Sequence, residues 1–261
     1  MSFEIIDFHT HPFMTRTSNI CSHTDYCDMS AEHTKRDFLN MGVSRICGSV
    51  IQVRDRNLPT TWEVIRSCNE EALELQKLYG DFYVPGIQVQ PDFVRESCEE
   101  IERMHARGIR LIGELVPYHH GWSDYSCKGF SEILDVAEQY GMVVSFHSID
   151  YDQMDAMVKA HPRVTFVAAH PGEFGDFTRH MERMKLSENY YLDLSAHGIH
   201  RHGMLRNAID LFGPERFLFG SDYPTCNPAM FIGGVRDDFL LTDREKELIL
   251  AGNAKRLLGL Q

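Results

Sequence analysis

The stretch Ile5-Ile6-Asp7-Phe8-His9-Thr10-His11, close to the start of the chain, is an apolar run of strand length that ends in two histidines. Side chains alternate between the two faces of a β-strand, so His9 and His11 point to the same side. Two imidazoles held on one rigid strand are well placed to bind a transition metal together. A His-x-His pair also occurs as a structural or incidental feature, so its meaning depends on the rest of the chain.

Further apolar, β-branched runs follow this one, and stretches of helical periodicity separate them. The predicted strands are residues 3–8, 43–50, 82–89, 109–116, 142–147, 164–170, 190–194 and 216–220. The predicted helices are residues 61–78, 93–107, 130–140, 151–160, 174–186 and 204–212, with 223–238 as a loop holding one short helix and 243–258 as a closing helix. Eight repeated βα units close a parallel barrel, so the expected fold is α/β, a (β/α)8 TIM barrel.

Length, composition and charge narrow the classes of protein. The chain has 261 residues and is 43% hydrophobic, which suits a single barrel domain over residues 1–261. Its formal net charge is -12, from 38 acidic and 26 basic residues. A phosphate backbone or an anionic membrane is repelled by this charge, so we expect neither nucleic acid nor membrane as a partner. The first residues show no basic segment followed by a long apolar one, which predicts a soluble cytoplasmic protein.

The seven cysteines are scattered and form no Cys-x-x-Cys pair, which favours reduced thiols. The run Cys21-Ser22-His23, with Cys27 nearby, has the residue types of a zinc knuckle. Its spacing fits no standard zinc pattern, so a loop with incidental Cys and His is the preferred interpretation. Four further histidines lie in predicted helices or at their ends and are expected to face solvent: His33, His105, His161 and His180.

Glu114 is a lone carboxylate inside the otherwise apolar run Ile112-Gly113-Glu114-Leu115 of the fourth strand. A buried charge is costly unless a cation or another partner meets it, so this position favours a metal ligand. A buried ion pair with Arg110 is the alternative.

Three more residues with metal-binding side chains stand at the end of a predicted strand or shortly after it. His147 and His170 end the fifth and sixth strands, and Asp222 follows the eighth in Gly220-Ser221-Asp222-Tyr223-Pro224. Barrel enzymes assemble their sites at the carboxyl ends of the strands, so these side chains should meet His9 and His11. Asp222 could bind a metal or accept a proton. Capping a helix is its alternative role.

These motifs together resemble the amidohydrolase superfamily: DFHTH on strand one, GE on strand four, single histidines ending strands five and six, and GSDYP after strand eight. The stretches LFGPERFLFGSDYP (211–224) and GNAKRLLGL (252–260) are similar to its amidohydrolase-related (amidohydrolase 2) branch. That branch includes hydrolases and nonoxidative decarboxylases, and the resemblance covers essentially the whole chain.

The resemblance implies a site for two divalent metal ions. His9, His11 and Asp222 would hold the first, His147 and His170 the second, and Glu114 would bridge them. Strand four has no lysine, which bridges in some relatives once carboxylated, so Glu114 takes that place as in the TatD deoxyribonuclease-like branch. The ligand types allow Zn, Mn, Fe or Ni, and we expect Zn.

This site would make the protein a hydrolase that activates water to cleave an amide, lactone or ester bond in a small molecule, with Asp222 taking and returning the proton. With a single metal, the same ligands would support decarboxylation or hydration, with His147 and Asp222 handling protons. Two other readings are a phosphoesterase of the polymerase-and-histidinol-phosphatase type, and a barrel that binds or regulates without catalysis.

Loops after the strands should shape the substrate pocket. The run Tyr118-His119-His120-Gly121-Trp122 follows strand four, and Tyr118 and His119 are expected to touch substrate; alternatively the loop packs over the barrel with Trp122 as its anchor. Other groups able to bind a carboxylate or carbonyl follow strands two and seven: Arg54, Arg56, Ser195, His197, His200 and His202. Among these we expect Arg54 and His197 to bind substrate. A homo-oligomer formed through the outer helices is also consistent with a barrel.

Overall fold

The structure is a computed structural model that describes residues 3–16, 18–21, 30–52, 59–198 and 201–261. Eight parallel strands are paired in sequence order. They are β1 Ile5–Thr10, β2 Val43–Ser49, β3 Tyr83–Ile87, β4 Leu111–Leu115, β5 Val143–His147, β6 Thr165–Ala169, β7 Tyr190–Asp193 and β8 Phe217–Leu218. A parallel bridge between Thr10 and Tyr223, and a hydrogen bond from Phe8 N to Phe219 O, join the first strand to the last. The predicted (β/α)8 barrel is confirmed.

Helices alternate with the strands around the barrel. They are α1 Ala31–Asn40, α2 Trp62–Tyr79, α3 Val94–His105, α4 Lys128–Gln139, α5 Tyr151–Ala160, α6 Phe174–Leu186, α7 Met204–Phe212, α8 Pro228–Arg236, α9 Asp243–Glu247 and α10 Asn253–Leu258. The helices between successive strands, α1 to α7, bury apolar residues; in α2 these include Ile65, Cys68, Ala72 and Leu75, at the spacing of a 3.6-residue period.

The predicted closing helix over 243–258 is interrupted. A π-helical turn, Leu248–Gly252, separates α9 from α10. The carbonyl of Ile249 accepts a hydrogen bond of 2.9 Å from Phe219 N, just beyond β8. Inserting a wider turn lets this carbonyl bond the strand instead of the helix. The closing segment is thereby attached to the eighth strand.

The barrel interior is apolar near the amino ends of the strands. Leu111, Val143, Val167, Tyr191 and Leu218 form one buried cluster there, together with Ala251, Ala254 and Leu258 of the closing segment. Because this end is filled with apolar side chains, the buried polar residues of the barrel gather at the opposite, carboxyl end of the strands.

Two histidines differ from expectation. His180 is fully buried in α6, where Nδ1 lies 2.7 Å from the Tyr190 hydroxyl, and burial lowers its pKa to about 3. His161 is also buried, with Nε2 2.9 Å from Ser131 Oγ. The prediction that they face solvent is wrong because each finds a hydrogen-bonding partner on a neighbouring element.

None of the helices in the described ranges has the length and apolar content that crossing a membrane requires.

Candidate metal centre

The predicted ligands lie together at the carboxyl end of the barrel. His9 and His11 come from the end of β1, Glu114 and His147 from the ends of β4 and β5, and His170 and Asp222 from the residues that follow β6 and β8. All are buried except His147, which is partly exposed. We refer to His9 and His11 as the first histidine pair and to His147 and His170 as the second.

The two carboxylate oxygens of Glu114 contact different histidine pairs. Its Oε2 lies 3.1 Å from His11 Nε2 and 3.3 Å from His9 Nε2. Its Oε1 lies 2.9 Å from His147 Nδ1 and 3.4 Å from His170 Nε2. The alternative of an ion pair with Arg110 is wrong, because Arg110 is exposed and the charged neighbours of Glu114 are these histidines.

Asp222 faces the first histidine pair. Its Oδ1 is 3.6 Å from Nε2 of both His9 and His11. Its backbone has a positive φ of 65°, which is uncommon for a residue with a side chain, and its N–H donates to His9 O over 2.9 Å. Asp222 does not cap a helix, since α8 begins later with Asn227 as its N-cap.

Two glycines of the sequence motifs, Gly113 and Gly220, lie too close to neighbouring strands to carry a Cβ atom. A Cβ atom on Gly113, whose φ is 90°, would lie 2.1 Å from Ser145 O. A Cβ atom on Gly220 would lie 2.7 Å from His9 Cβ. Only glycine lets the strands carrying Glu114 and Asp222 come this close to their neighbours.

The two carboxyl groups differ in their electrostatics. Burial alone would raise the pKa of Glu114, but the imidazoles of His9 and His147 hold it well below its ordinary value. Burial raises the pKa of Asp222 above its ordinary value, although His9 and His170 oppose this rise. Glu114 therefore stays ionised, whereas Asp222 is the carboxyl more able to take up a proton.

The donor set fits divalent cations. His9 Nε2 and His11 Nε2 are 3.3 Å apart, and His147 Nδ1 and His170 Nε2 are 3.1 Å apart, so ring nitrogens converge in pairs. Each pair lies with Glu114 inside a group whose ligand atoms are within 4.8 Å of one another. Imidazole nitrogens and a shared carboxylate are ligands that Zn, Mn and Fe accept.

Buried residues also contact the outer ring nitrogens of two of these histidines. His9 Nδ1 lies 2.9 Å from Asp193 Oδ2, and His170 Nδ1 lies 3.0 Å from Ser195 Oγ. Burial alone would raise the pKa of Asp193, but the neighbouring His9 lowers it below its ordinary value. Asp193 was not among the predicted site residues, and Ser195 was named only as one of the groups after strand seven that are able to bind a carboxylate or carbonyl. The Asp-x-Ser spacing at the end of β7 does not identify them by itself, since the exposed residues Asp124 and Ser126 have the same spacing.

A cleft of about 490 Å³ opens above the ligands. Tyr118, His119 and His197, the residues expected to bind substrate, are among those that line it. Ser148, Tyr151 and Asp176 also line it and were not predicted. Trp122 packs on Phe130 at 5.0 Å between ring centroids, so the loop after β4 is anchored as well as facing the cleft.

The other predicted loop residues lie elsewhere. The His202 ring packs at a tilt against Phe239, with 5.6 Å between ring centroids, and it lines a separate apolar pocket of about 560 Å³ between α6 and α7. Cys21 lines the cleft, whereas the remaining residues of the imitated zinc knuckle, Ser22, His23 and Cys27, lie outside the described residues. Arg54, Arg56 and His200 also lie outside them.

The family model described as amidohydrolase matches residues 6–260. No curated protein matches the sequence. A 2,6-dihydroxybenzoate decarboxylase from Rhizobium has a TM-score of 0.74 at 14% identity, covering 98% of this chain and 99% of that chain. A dihydroxybenzoic acid decarboxylase from Polaromonas sp., with bound manganese and the inhibitor 2-nitroresorcinol, has a TM-score of 0.75 at 13% identity, covering 98% and 97%. A probable 2-pyrone-4,6-dicarboxylic acid hydrolase from Acinetobacter baumannii, with citric acid bound, has a TM-score of 0.68 at 18% identity, covering 100% of both chains.

Proposed function

The chain belongs to the amidohydrolase family, a family of metal-dependent enzymes, and from this premise we propose that it is a hydrolase using two divalent cations. Its substrate would be a small molecule with an amide, lactone or ester bond. The observation that carries the proposal is the division of the Glu114 carboxylate, with Oε2 on the first histidine pair and Oε1 on the second. A carboxylate that serves both pairs suits a bridge between two cations.

The residues of the centre would have separate roles in metal binding and proton transfer. His9, His11 and Asp222 would hold one cation, His147 and His170 the other, and Glu114 both. Bound cations of this kind lower the pKa of water and polarise a carbonyl oxygen. Asp222 would accept a proton at Oδ1 or Oδ2 and return it to the leaving group, a role that its place at the carboxyl end of the barrel, beside the cleft, allows.

The cleft supports a small substrate. Its volume of about 490 Å³ lies within the range typical of small-molecule sites, roughly 300–1,000 Å³. We propose that Tyr118, His119 and His197 bind the substrate, because they line the cleft beside the second histidine pair: the Tyr118 ring is 5.4 Å from His147, and the His197 ring 6.4 Å from His170. Arg54 is proposed to bind substrate from its place after β2.

A nonoxidative decarboxylase using one cation is the second candidate. The observation in its favour is the partial exposure of His147, whose side chain is 23% exposed, against 10% or less for the other proposed ligands. A histidine that reaches the cleft can handle a substrate proton if it is not needed as a ligand. The manganese-bound decarboxylase of similar fold gives this candidate a chemical precedent.

The proposal is tested with metal-reconstituted protein and two panels of substrates, one of lactones, esters and amides and one of hydroxybenzoates assayed for CO₂ release. Turnover on the first panel, absent after chelation and restored by Zn or Mn, is the expected result. Turnover on the second panel alone would replace the hydrolase with the decarboxylase. Activity that survives complete metal removal would contradict both.

A further inference from the structure

Asp193 and Ser195 contact one imidazole from each histidine pair. Asp193 ends β7, Ser195 follows two residues later, and neither has any exposed surface. Asp193 Oδ2 is 2.9 Å from His9 Nδ1. Ser195 Oγ is 3.0 Å from His170 Nδ1 and also 3.0 Å from His9 Nδ1, and its hydroxyl makes a short hydrogen bond to Asp193 Oδ1. A single buried unit therefore supports both pairs.

The directions of these hydrogen bonds follow from the carboxylate. An ionised carboxylate only accepts, so His9 Nδ1 must donate its proton to Asp193. The Ser195 hydroxyl has one proton, which it donates to Asp193 Oδ1, so its lone pairs accept from His170 Nδ1. With Nδ1 protonated, a neutral imidazole presents the lone pair of Nε2. In both residues Nε2 is the atom that faces Glu114.

We propose that Asp193 and Ser195 are positioning residues that fix the tautomers of His9 and His170, so that one carboxylate prepares both cation positions. The inference rests on the proposed function, since it takes these histidines as ligands. Hydrogen bonds from ligating histidines to buried acceptors orient the ring and typically contribute about 10–100-fold to metal affinity.

A third cation held by His9, His170 and Asp193 is the competing interpretation, because their ligand atoms also lie within 4.8 Å of one another. Those ring atoms already have partners: Asp193 accepts from His9 Nδ1, and Ser195 accepts from His170 Nδ1. The group is therefore assigned to positioning.

The substitution Asp193→Asn should change the tautomer of His9 and leave that of His170 unchanged. The N–H of Ser195 donates to Asp193 Oδ1 over 3.0 Å, so the amide oxygen of asparagine should take that position. The amide NH₂ then faces His9 Nδ1, which must accept. This moves the proton of His9 to Nε2, where it blocks metal binding. We expect about 100-fold weaker binding of one zinc equivalent, while the other is retained.

The substitution Ser195→Ala should affect the other pair. It removes the acceptor for His170 Nδ1 but leaves Asp193 on His9. We expect about 10-fold weaker binding of the zinc held by the second histidine pair.

A matched control exists on the surface. Asp124 and Ser126 repeat the Asp-x-Ser motif, with Ser126 N and Oγ donating to Asp124 Oδ1 over 2.8 and 2.6 Å. Both are exposed and neither lines the cleft. Asp124→Asn and Ser126→Ala should bind zinc as the wild-type protein does.

The test combines zinc titration against a chromophoric chelator with NMR of ¹⁵N-histidine-labelled protein. In the zinc-loaded wild type, His9 and His170 should show protonated Nδ1 and metal-bound Nε2. In Asp193→Asn, the metal-bound signals of His9 and His11 should be lost while those of His147 and His170 remain, and in Ser195→Ala the weakened signals should be those of His147 and His170. Binding of two zinc equivalents by both variants, with affinities within the spread of the controls, would overturn the inference.

Failure of the proposed function can be distinguished from failure of the positioning role. If the wild-type protein takes up no zinc, that function is wrong, and the tautomers are read in metal-free protein at a pH where the imidazoles are neutral. Protonated Nδ1 on His9 and His170 in the wild type, with protonated Nε2 on His9 in Asp193→Asn, would still support the positioning role. Protonated Nε2 in the wild type would overturn it.

Discussion

The side-chain amide of Gln88 donates to the backbone carbonyl of Glu114 over 2.8 Å. The same nitrogen donates to Ser49 Oγ over 2.7 Å, and the carbonyl of Ser49 lies 3.1 Å from His11 Nδ1. Asn69 holds Gln88 in turn, accepting from its backbone N–H over 2.6 Å. One buried amide therefore links the strand ends that carry Glu114 and His11.

Replacing Gln88 with methionine keeps the approximate volume and removes the amide's two hydrogen bonds, leaving only the bond of 3.1 Å from Ser49 Oγ to Glu114 O. We expect the free energy of unfolding to fall by about 1–3 kcal/mol, because buried polar partners lose their hydrogen bonds. Zinc affinity should fall by about 10-fold, because the ligands are less well oriented. Chemical denaturation and zinc titration measure the two effects. Gln76→Met, at a partly exposed position on α2, is the control, and equal zinc affinity in both variants would contradict the linking role.

Asp222→Asn should keep the fold and at least one cation and lose turnover. The amide has nearly the same volume but cannot take up a proton, and loss of a general base typically costs about 10²–10⁴-fold in rate. Initial rates, metal content and circular dichroism are compared with those of Asp81→Asn, an exposed position. Unchanged turnover in the Asp222 variant would exclude the proposed proton acceptor.

Glu114→Gln should reduce the uptake of one cation. An amide has a single oxygen, so it cannot present an oxygen to both histidine pairs as the carboxylate does. Elemental analysis should find about one equivalent fewer than in the wild type. The exposed substitution Glu74→Gln serves as the control. Two equivalents retained in the Glu114 variant would show that this carboxylate is not a bridge.

His180 should make the folded state sensitive to acid. Its pKa is lowered to about 3 by burial, whereas in the unfolded chain it lies near the ordinary 6.5. The unfolded state therefore binds the proton first, and this contribution to stability is present above about pH 6.5 and is lost progressively towards pH 3, at roughly 1.4 kcal/mol per unit.

The substitution His180→Asn tests this dependence, because its amide can still meet the Tyr190 hydroxyl without titrating there. Between pH 6.5 and pH 4 its free energy of unfolding should fall less steeply than that of the wild type. The exposed His33→Asn should follow the wild type. Parallel slopes for His180→Asn and the wild type would contradict the assignment.

The barrel and the clustering of the candidate ligands could be predicted because both depend on local sequence. Strand-length apolar runs mark the strands, and His147, His170 and Asp222 stand directly at or after strand ends, where the barrel brings them together. Gly113 and Gly220 belong to the recognisable motifs because neighbouring strands leave no room for a Cβ atom.

The residues behind the ligands could not be predicted in the same way. Asp193 and its partner His9 are 184 positions apart, and Gln88 and Glu114 are 26 apart, so only the folded barrel pairs them. The π-helical turn depends on one long-range bond, from Phe219 to Ile249. The single domain, the choice of Zn, the homo-oligomer, the cytoplasmic location and the absence of a nucleic-acid partner stay predictions.

Metal content per chain tests the central claim most directly, measured by elemental analysis on protein purified without chelator and without a histidine tag, then reconstituted with Zn or Mn. Two equivalents per chain are predicted, because each histidine pair shares one oxygen of Glu114. One equivalent would contradict the two-cation hydrolase and favour the decarboxylase, and none after reconstitution would favour a barrel without metal-dependent catalysis.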